Sequence, residues 1–449
     1  MEKTERFIIE DLSYDGLGVA YHDDRVFLIE NALVGETVLA KVDDLAKRVS
    51  FGKTISVIVP SPSRMIAKCP YFGICGGCNM LHMNYEASLH AKASLIKNTL
   101  HKIGHVDVDE VVVEGMDNPF AYRNKIQLPL SKQNGEVKLG YYKRKSHEVI
   151  DISDCLLSPK NANECANIIR EGIKKFGLSI YDENRRSGII RHIIIRNNED
   201  DEIMVVIVAN MDKEKATEYF KDLVSYIKNK DSKVISIIID INRNHNNVIL
   251  GYDSIVSYGK DKITSNILGI KYELAYNSFF QVNRLQAEKL YSIVLDFANL
   301  KGNENVIDAY SGVGSISLQL AKHAKHVYGI EIIKEAIDNA NNNMQINNMN
   351  NLTFILGKVE EKINDIIDNQ IDLIVFDPPR KGLDISIIEM LKEKKIPRII
   401  YVSCNYSTLS RDIDLLSDCY RLDKIKAVDM FPWSTEVETV VSLSLKTYP

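Results

Sequence analysis

Hydrophobic and polar positions alternate over the first part of the chain. The alternation predicts short β-strands at Phe7–Leu12, Val26–Glu30, Thr37–Val42 and Lys53–Val59. Glycine-containing sequences such as Asp15-Gly16-Leu17-Gly18 separate the runs and favour turns. Closely spaced short strands are typical of small barrels, so we predict an OB-like β-barrel over residues 1–60.

A helical pattern and then mixed patterns occupy the middle of the chain. After the linker-like sequence at residues 60–63 (PSPS), Tyr85–Ile103 has the spacing of an amphipathic helix, with its apolar face predicted at Leu89, Ile96, Leu100 and Ile103. Residues 111–268 mix strand-like and helix-like runs. We therefore predict a central α+β domain over residues 61–268.

Strand-like and helix-like runs alternate regularly along the last third of the chain. The predicted strands, each followed by a helical pattern, are Asn305–Asp308, His326–Glu331, Leu352–Leu356, Asp372–Asp377 and Arg398–Ser403. This alternation is typical of a doubly wound parallel sheet, so the fold class is multidomain α/β. Two final strand-like runs, Tyr420–Met430 and Val437–Leu445, are predicted to close the sheet as an antiparallel pair.

The composition is that of a folded protein without a membrane-spanning segment. The 449 residues are 45% hydrophobic and 26% charged, and the longest apolar runs are too short to cross a bilayer. The first ten residues, MEKTERFIIE, carry charges where a signal peptide needs apolar residues, so we expect a cytoplasmic protein. We also expect a monomer. Because the net charge is −5, nucleic-acid binding would require a local basic surface.

A glycine turn between a predicted strand and helix favours a nucleoside cofactor. In DAYSGVGSISL, which begins at Asp308, Gly312 and Gly314 allow the backbone to approach a ligand closely. Glu331, at the end of the next strand, can hold ribose hydroxyls. The turn lacks the third glycine of the dinucleotide fingerprint, so S-adenosylmethionine (SAM) fits better than NAD. The alternative is a purely structural strand–helix turn.

Reactive side chains are predicted at the carboxyl edge of the same sheet. Asp377 follows the fourth strand in FDPPRKGLD, and Cys404 follows the fifth in YVSCNYSTLSRD. Cys404 precedes a helix whose N-terminus favours a thiolate, so we predict a nucleophile. Glu436 and Glu438 lie at i and i+2 on one face of a predicted strand, where either can act as general base. A buried inert cysteine and a solvated strand face are the alternatives.

Four of the seven cysteines form a candidate metal site. Cys69, Cys75 and Cys78 lie in the glycine-rich sequence CPYFGICGGCNM, and Cys155 can supply a fourth thiolate. Clustered cysteines in a cytoplasmic chain favour metal binding over disulfides. Four thiolates suit [4Fe–4S] or zinc, and the uneven spacing favours the [4Fe–4S] cluster. The alternative is a surface loop of unligated cysteines.

Basic residues interleaved with tyrosines predict a local RNA-binding surface. Residues 121–147 hold seven Lys or Arg and one acidic residue, with Tyr122, Tyr141 and Tyr142 among them. Cations contact the RNA backbone and aromatic rings stack on its bases, as single-stranded RNA binding requires. A second candidate for phosphate contacts lies near the end of the predicted barrel, at Lys41, Lys47, Arg48 and Lys53. The alternative for both groups is a solvated surface.

Together these motifs resemble the RNA (uracil-5-)-methyltransferase family, of the 23S rRNA-modifying type (RumA-like or RlmCD-like). The resemblance covers essentially the whole chain and rests on SFFQVN at 278–283, the glycine turn, Glu331, DPPRKG, SCN and the final ETV. It implies an N-terminal TRAM barrel, a central domain with a [4Fe–4S] cluster, and a Rossmann-like SAM-dependent methyltransferase domain over residues 269–449. It also implies that helix 84–104 can pack on the catalytic domain.

The resemblance implies a role for each candidate residue. SAM contacts are implied for Gln281, Tyr310, Glu331 and Asp377, catalysis for Cys404 as nucleophile and Glu438 as base, and cluster ligation for Cys69, Cys75, Cys78 and Cys155. In the implied reaction Cys404 adds to C6 of a uracil, C5 takes the methyl group of SAM, and a base removes the C5 proton. The uracil must leave its stack to be reached, so we expect a loop or flipped base in 23S rRNA.

The sequence departs from the family pattern at three positions. Ser311 stands in place of a frequent Cys, Tyr406 in place of the usual Pro after SCN, and Glu436 in place of a common His. Two acids are therefore candidates for the base.

Two other functions stay open. One is a tRNA uracil-5-methyltransferase with the same chemistry, although the TRAM-like barrel and the cysteines favour rRNA because the simpler tRNA enzymes lack them. The other is a non-catalytic iron–sulfur RNA-binding protein that keeps the SAM fold as a scaffold.

Overall fold

The N-terminal strands form a six-stranded sheet with its own hydrophobic core. The computed structural model describes residues 2–22, 24–43, 48–367 and 370–446. The sheet order is β1-β5-β6-β4-β3-β2, from β1 (Glu2–Ile8), β2 (Asp11–Leu12), β3 (Gly18–His22), β4 (Arg25–Glu30), β5 (Thr37–Asp43) and β6 (Val49–Val59). Phe7, Phe27 and Val38 lie in its core. Lys47, a predicted phosphate contact, lies outside the described residues.

The middle of the chain contributes a seven-stranded sheet. Its order is β10-β9-β8-β11-β12-β13-β14. In chain order this region contains α1 (Tyr85–Gly104), β7 (Val113–Glu114), β8 (Lys125–Gln133), β9 (Glu136–Tyr142), β10 (Val149–Asp151), α2 (Lys160–Lys175), β11 (Ile190–Asn197), β12 (Ile203–Ala209), α3 (Lys213–Lys230), β13 (Val234–Ile241) and β14 (Asp253–Gly259). Helices α2 and α3 pack on one face, where Ile169 and Phe220 share a core with Ile207.

The C-terminal region contains an eight-stranded sheet in the order β19-β18-β17-β20-β21-β23-β22-β7. Its elements follow as β15 (Lys262–Ile267), β16 (Ile270–Ala275), α4 (Arg284–Ala298), β17 (Asn305–Ala309), α5 (Ser315–Ala321), β18 (His326–Glu331), α6 (Lys334–Ile346), β19 (Leu352–Leu356), α7 (Val359–Ile366), β20 (Leu373–Phe376), α8 (Ile385–Lys394), β21 (Arg398–Ser403), α9 (Tyr406–Leu416), β22 (Tyr420–Val428) and β23 (Glu438–Leu445). The pairings are parallel except those of β23. The predicted parallel sheet with its antiparallel end is confirmed.

Two elements from earlier in the chain are built into this C-terminal layer. Strand β7 pairs in parallel with β22 at the sheet edge. Helix α1 packs on α9, and its Ile96 and Leu100 share a core with Ile413. The predicted apolar face of α1 is only partly right, because Ile103 is 41% exposed and Lys92 is fully buried on the inner face.

The hairpin of β15 and β16 lies across the predicted domain boundary after residue 268. Ile267 pairs with Ile270 across the hairpin turn, and both belong to the core that contains Leu290 of α4. The same core reaches Val206 in the seven-stranded sheet, so the middle and C-terminal regions share buried apolar surface. The boundaries 1–60, 61–268 and 269–449 stay predictions. In the described part of the chain, no helix combines the length and apolarity needed to span a membrane.

A buried ion pair joins α1 to the segment between β22 and β23. The ammonium group of Lys92 contacts Asp429 Oδ1, and both side chains are fully buried. Lys92 Nζ also donates to the carbonyl oxygens of Phe431 at 3.2 Å and Glu436 at 3.0 Å. The Tyr85 hydroxyl donates to Asp429 Oδ2 at 2.7 Å. This network fixes residues 429–437 against α1, because a buried charge needs all its hydrogen-bond partners in place.

We expect Lys92→Ala to lower the free energy of unfolding by about 3–5 kcal/mol, because it leaves the Asp429 carboxylate buried without its cation. Urea denaturation followed by far-UV circular dichroism measures the loss. The control is Lys102→Ala, which removes an exposed lysine from the same helix and should change stability by less than about 0.5 kcal/mol. Equal stability of the two variants would contradict the importance of the buried pair.

Candidate active site

A cavity of about 860 Å³ lies at the carboxyl ends of β17, β18, β20 and β21. Doubly wound sheets bind their ligands at this edge. The six residues predicted to contact SAM or to act in catalysis all line the cavity, and they are Gln281, Tyr310, Glu331, Asp377, Cys404 and Glu438. The fold thus brings distant sequence motifs together in one place.

Backbone amides hold both carboxylate oxygens of Glu331. Gly312 N–H donates to Oε2 at 3.0 Å, and Ile333 N–H donates to Oε1 at 2.9 Å. The carboxylate is therefore fixed between the glycine turn and the start of α6, and each oxygen keeps acceptor capacity for a ligand. The neighbouring Tyr310 has a φ of +67°, and its hydroxyl donates to Glu360 Oε1 at 3.3 Å.

Glycine is required at the two positions of the turn for different structural reasons. At Gly314, where φ is +80°, an added Cβ would lie 2.9 Å from Cζ of Phe354, so the turn packs too closely on the sheet for a side chain. At Gly312, where φ is +55°, no atom lies within 4 Å of an added Cβ. Gly312 also lines the cavity. Its backbone is therefore open to a ligand on that side.

The segment that carries Gln281 is anchored by the middle region. Asn124 Nδ2 donates to the Gln281 carbonyl at 2.9 Å, and Arg196 donates to the Ser278 carbonyl. Gln281 itself is buried, whereas Phe279 is 72% exposed and also lines the cavity. The sequence motifs do not single out Phe279, although SFFQVN contains it; an exposed ring beside a predicted ligand residue is the signal that marks it.

Cys404 directly follows β21, and Glu438 begins the adjacent strand β23. Ser403 of β21 pairs with Thr439 of β23 in antiparallel register. Continuing that register by one residue places Cys404 beside Glu438. Glu438 is buried at the start of β23, and Cys404 lies directly before the α9 N-cap residue Asn405. A thiol and a carboxyl group therefore meet at the cavity wall.

The prediction that Glu436 shares a strand face with Glu438 is wrong. Strand β23 begins only at Glu438, and Glu436 lies in the preceding loop. Its Oε2 accepts a hydrogen bond from Arg380 at 3.0 Å, and Glu436 is not part of the cavity lining. The alternation fails here because residues 429–437 follow the Lys92 network rather than the pleat of a strand.

The surroundings of Cys404 oppose the thiolate that its position before a helix predicts. Burial, with the Glu438 and Asp377 carboxylates, raises the pKa of Cys404 to about 11, and the Arg380 guanidinium offsets only part of this. Cys404 therefore rests as a thiol at neutral pH. The helix terminus cannot offset two acidic groups that other strands bring close.

Three buried carboxyl groups face the same cavity. Burial raises the pKa of Asp308 to about 7, although its Oδ2 accepts a hydrogen bond from the Ser317 hydroxyl. Burial also raises the pKa of Asp377, and burial together with the Asp377 charge raises the pKa of Glu438. Like charges in one cavity disfavour simultaneous ionisation, so the three carboxyl groups are not all ionised at neutral pH.

The four predicted cluster ligands line a second cavity. Cys69, Cys75, Cys78 and Cys155 all contribute to it, with Arg123 among the other lining residues. Burial raises the pKa of Cys78 to about 12. No group of three or more His, Cys, Asp or Glu side chains within the described ranges is arranged to hold a metal ion. The structure thus brings the four predicted ligands to one cavity without showing a metal site.

The predicted stacking surface at residues 121–147 is partly wrong. Tyr122 is buried in a core with Leu81 and Trp433, and Tyr141 lines the cysteine cavity with its hydroxyl buried. Neither ring is free to stack on a base. Their burial follows from the packing of the cysteine loop on β9, which the local sequence does not reveal. Tyr142 is half-buried and contacts His147.

Comparison with known proteins identifies the family. The sequence profile described as tRNA (Uracil-5-)-methyltransferase matches residues 84–446, and that of the TRAM domain matches residues 3–55. Two relatives are described as uncharacterized RNA methyltransferases. That of Clostridium tetani is 38% identical over 445 residues, and that of Listeria innocua is 40% identical over 443. The matches cover 98% of this chain in both cases, and 96% and 97% of the two relatives.

A solved structure shares the whole architecture. The crystal structure of Pyrococcus abyssi tRNA (uracil-54, C5)-methyltransferase in complex with S-adenosyl-L-homocysteine aligns with a TM-score of 0.80 and 29% identity. The alignment covers 98% of this chain and 99% of that one. The sequence profiles, the relatives and the shared fold agree. The chain belongs to the tRNA (uracil-5-)-methyltransferase family of SAM-dependent RNA methyltransferases, and it carries an N-terminal TRAM domain.

Proposed function

We propose that this RNA methyltransferase transfers a methyl group from SAM to C5 of a uracil in 23S rRNA, with Cys404 as nucleophile and Glu438 as base. The observation that carries the proposal is the single cavity lined both by the glycine turn with Glu331 and by Cys404 with Glu438. A non-catalytic RNA-binding protein would have no need of the second pair.

The SAM site is assigned to the half of the cavity near the glycine turn. Glu331 is fixed by two backbone amides and has acceptor capacity for the ribose hydroxyls. The backbone at Gly312 is open to a ligand, and Tyr310 and Gln281 also line the cavity. Asp377 lines the same cavity and is close enough to Cys404 to raise its pKa, and its carboxyl group can orient either the SAM amine or the uracil.

The other half of the cavity is assigned to the uracil. Uracil C5 is a weak nucleophile, and a bond from Cys404 Sγ to C6 moves electron density to C5, which then takes the methyl group. Glu438 removes the C5 proton. The electrons of that C–H bond re-form the C5–C6 double bond and release Cys404. Glu438 suits the base role because burial raises its pKa above the ordinary range of a carboxyl group.

The resting thiol must lose its proton before it attacks. The acidic surroundings of Cys404 disfavour that step. Bound SAM would supply the methyl group and a positive sulfonium charge, and positive charge lowers the pKa of nearby thiol and carboxyl groups. Cys404 and Glu438 would then reach their reactive ionised forms more readily.

The choice between rRNA and tRNA rests on different observations. The motif resemblance favours 23S rRNA. The alignment with the P. abyssi tRNA enzyme, however, covers 98% of this chain. A barrel at the N-terminus therefore does not by itself argue against a tRNA substrate. A tRNA uracil is therefore the second candidate target.

We expect label from methyl-labelled SAM to enter unmodified 23S rRNA, with an unmodified tRNA transcript assayed in parallel. Cys404→Ala should reduce transfer to background because no adduct can form, while the Kd for SAM stays within about twofold. Scintillation counting measures transfer, and calorimetry measures SAM binding.

Label in tRNA alone would keep the chemistry and overturn the rRNA target. Undiminished methylation by Cys404→Ala would refute the nucleophile, and label in neither RNA from wild-type protein would refute the proposed function.

Glu438→Gln should trap a covalent RNA–protein adduct that survives denaturing electrophoresis. Without a base the C5 proton stays, so Cys404 cannot be eliminated. The matched control is Glu436→Gln, because Glu436 pairs with Arg380 but is not itself a lining residue of the cavity. Adduct accumulation in Glu436→Gln and not in Glu438→Gln would show that the base is misassigned.

We also propose that the four cysteines hold a [4Fe–4S] cluster. All four cysteines line one cavity, and in a [4Fe–4S] cluster each cysteine binds a different iron. Zinc is the other metal that four thiolates suit. The buried Nε of Arg123 beside the cavity has no hydrogen-bond partner, and a cluster would bring negative charge to it. The cluster would tie residues 69–78 to Cys155.

Protein purified without oxygen should contain about four irons per chain and absorb visible light, as a [4Fe–4S] cluster requires. Elemental analysis measures iron and zinc together. Cys78→Ala should lose the iron, whereas Cys165→Ala, in α2 and outside the cysteine cavity, should keep it. Stoichiometric zinc, or a colourless protein with no metal, would contradict the cluster.

A further inference from the structure

One turn of the N-terminal TRAM domain packs close to residues of the catalytic cavity. Tyr14 lies in the turn between β2 and β3, which is closed by hydrogen bonds from Ser13 N to Leu17 O at 2.8 Å and from Gly16 N to Ser13 O at 2.9 Å. The Tyr14 ring centroid lies 5.2 Å from that of Tyr406, the first residue of α9. The barrel therefore contacts the helix that directly follows Cys404.

The turn is held in this position by a second contact. Asn79 Nδ2 donates to the Asp15 carbonyl at 3.1 Å and to Thr435 Oγ1 at 3.4 Å. A Cβ at Gly16 would lie 3.0 Å from Cγ2 of Thr435, which shows how closely the turn meets the segment before β23. Tyr14 is thus placed by packing on both sides, rather than by the barrel alone.

Two residues that line the catalytic cavity are close to Tyr14. Burial and the Glu436 carboxylate raise the pKa of Tyr14, and the Arg380 guanidinium and the Cys404 sulfur are also near enough to influence it. Arg380 and Cys404 line the cavity, whereas Tyr14 is outside the lining. Tyr14 is nevertheless 41% exposed, while Tyr406 beneath it is buried. The Tyr406 ring supports the Tyr14 ring and leaves part of the Tyr14 ring exposed to solvent.

We propose that Tyr14 is an aromatic platform that stacks on the RNA base next to the target uracil. A flipped uracil leaves its neighbour without a stacking partner, and an exposed ring near the cavity replaces that partner. Arg380, which is exposed and paired with Glu436, places a positive charge near the same ring, where it can contact an RNA phosphate. The platform rests on the proposed function, and it makes the TRAM barrel part of the substrate site.

The test compares steady-state parameters of Tyr14 variants on unmodified 23S rRNA and tRNA transcripts, using the RNA that wild-type protein methylates. Tyr14→Ala should raise the KM for RNA about tenfold, with kcat and the Kd for SAM within about threefold. Tyr14→Phe should behave as wild type because it keeps the ring. Tyr14→Leu, which keeps apolar contact with Tyr406 but has no flat ring, should behave as Tyr14→Ala.

The matched control is Tyr21→Ala, which removes an exposed tyrosine from β3 of the same barrel and should leave the KM unchanged. A KM for Tyr14→Ala within twofold of wild type would overturn the platform, as would a Tyr14→Leu variant with wild-type KM or a Tyr14→Phe variant as impaired as Tyr14→Ala. Wild-type protein that methylates neither RNA would instead overturn the proposed function, and the platform with it.

Discussion

The buried contact between Lys92 and Asp429 is the constraint on which the catalytic side of the molecule depends. It joins a helix near the N-terminus to the segment before the last strand, and Lys92 also binds the carbonyls of Phe431 and Glu436. The amides of Asn79 and Met80 donate to the carbonyl of Trp433 in the same segment. The cysteine loop, α1 and the start of β23 therefore meet in one fixed segment, although they are far apart in the chain.

This arrangement explains why the reactive groups can be so crowded. Glu438 is placed beside Cys404 by strand register, and residues 429–437 approach it in a path set by buried hydrogen bonds. Burial then raises the pKa of the thiol and of both neighbouring carboxyl groups. A flexible segment would let water in and relax those pKa values toward ordinary ones. The rigidity of the Lys92 network and the raised pKa values of the site thus result from the same packing.

A feature of this structure could be predicted from the sequence when neighbouring residues determine it. Strand–helix alternation and the Gly312–Gly314 turn follow from neighbouring residues, and the parallel sheet is where they place it. Lys92 could not be predicted, because a lysine in an amphipathic helix is usually solvated and its partner lies in the last strands. The protonation of Cys404 was equally hidden, since the two carboxyl groups that disfavour the thiolate come from different strands. Glu436 and Glu438 have the alternation of strand residues, yet β23 begins only at Glu438 and leaves Glu436 in the preceding loop.

Tyr406 shows how a departure from a family pattern can be accommodated. Proline suits the first position of a helix because its φ is fixed and its missing N–H needs no partner there. In this chain Asn405, part of the SCN motif, caps α9, and its Oδ1 accepts from the amides of Ser407 at 3.0 Å and Thr408 at 3.4 Å. The helix start is thereby fixed without proline, and the side chain at 406 is free to be large. Its ring fills the gap below Tyr14, so that a contact between two domains replaces a purely local stiffening of the turn.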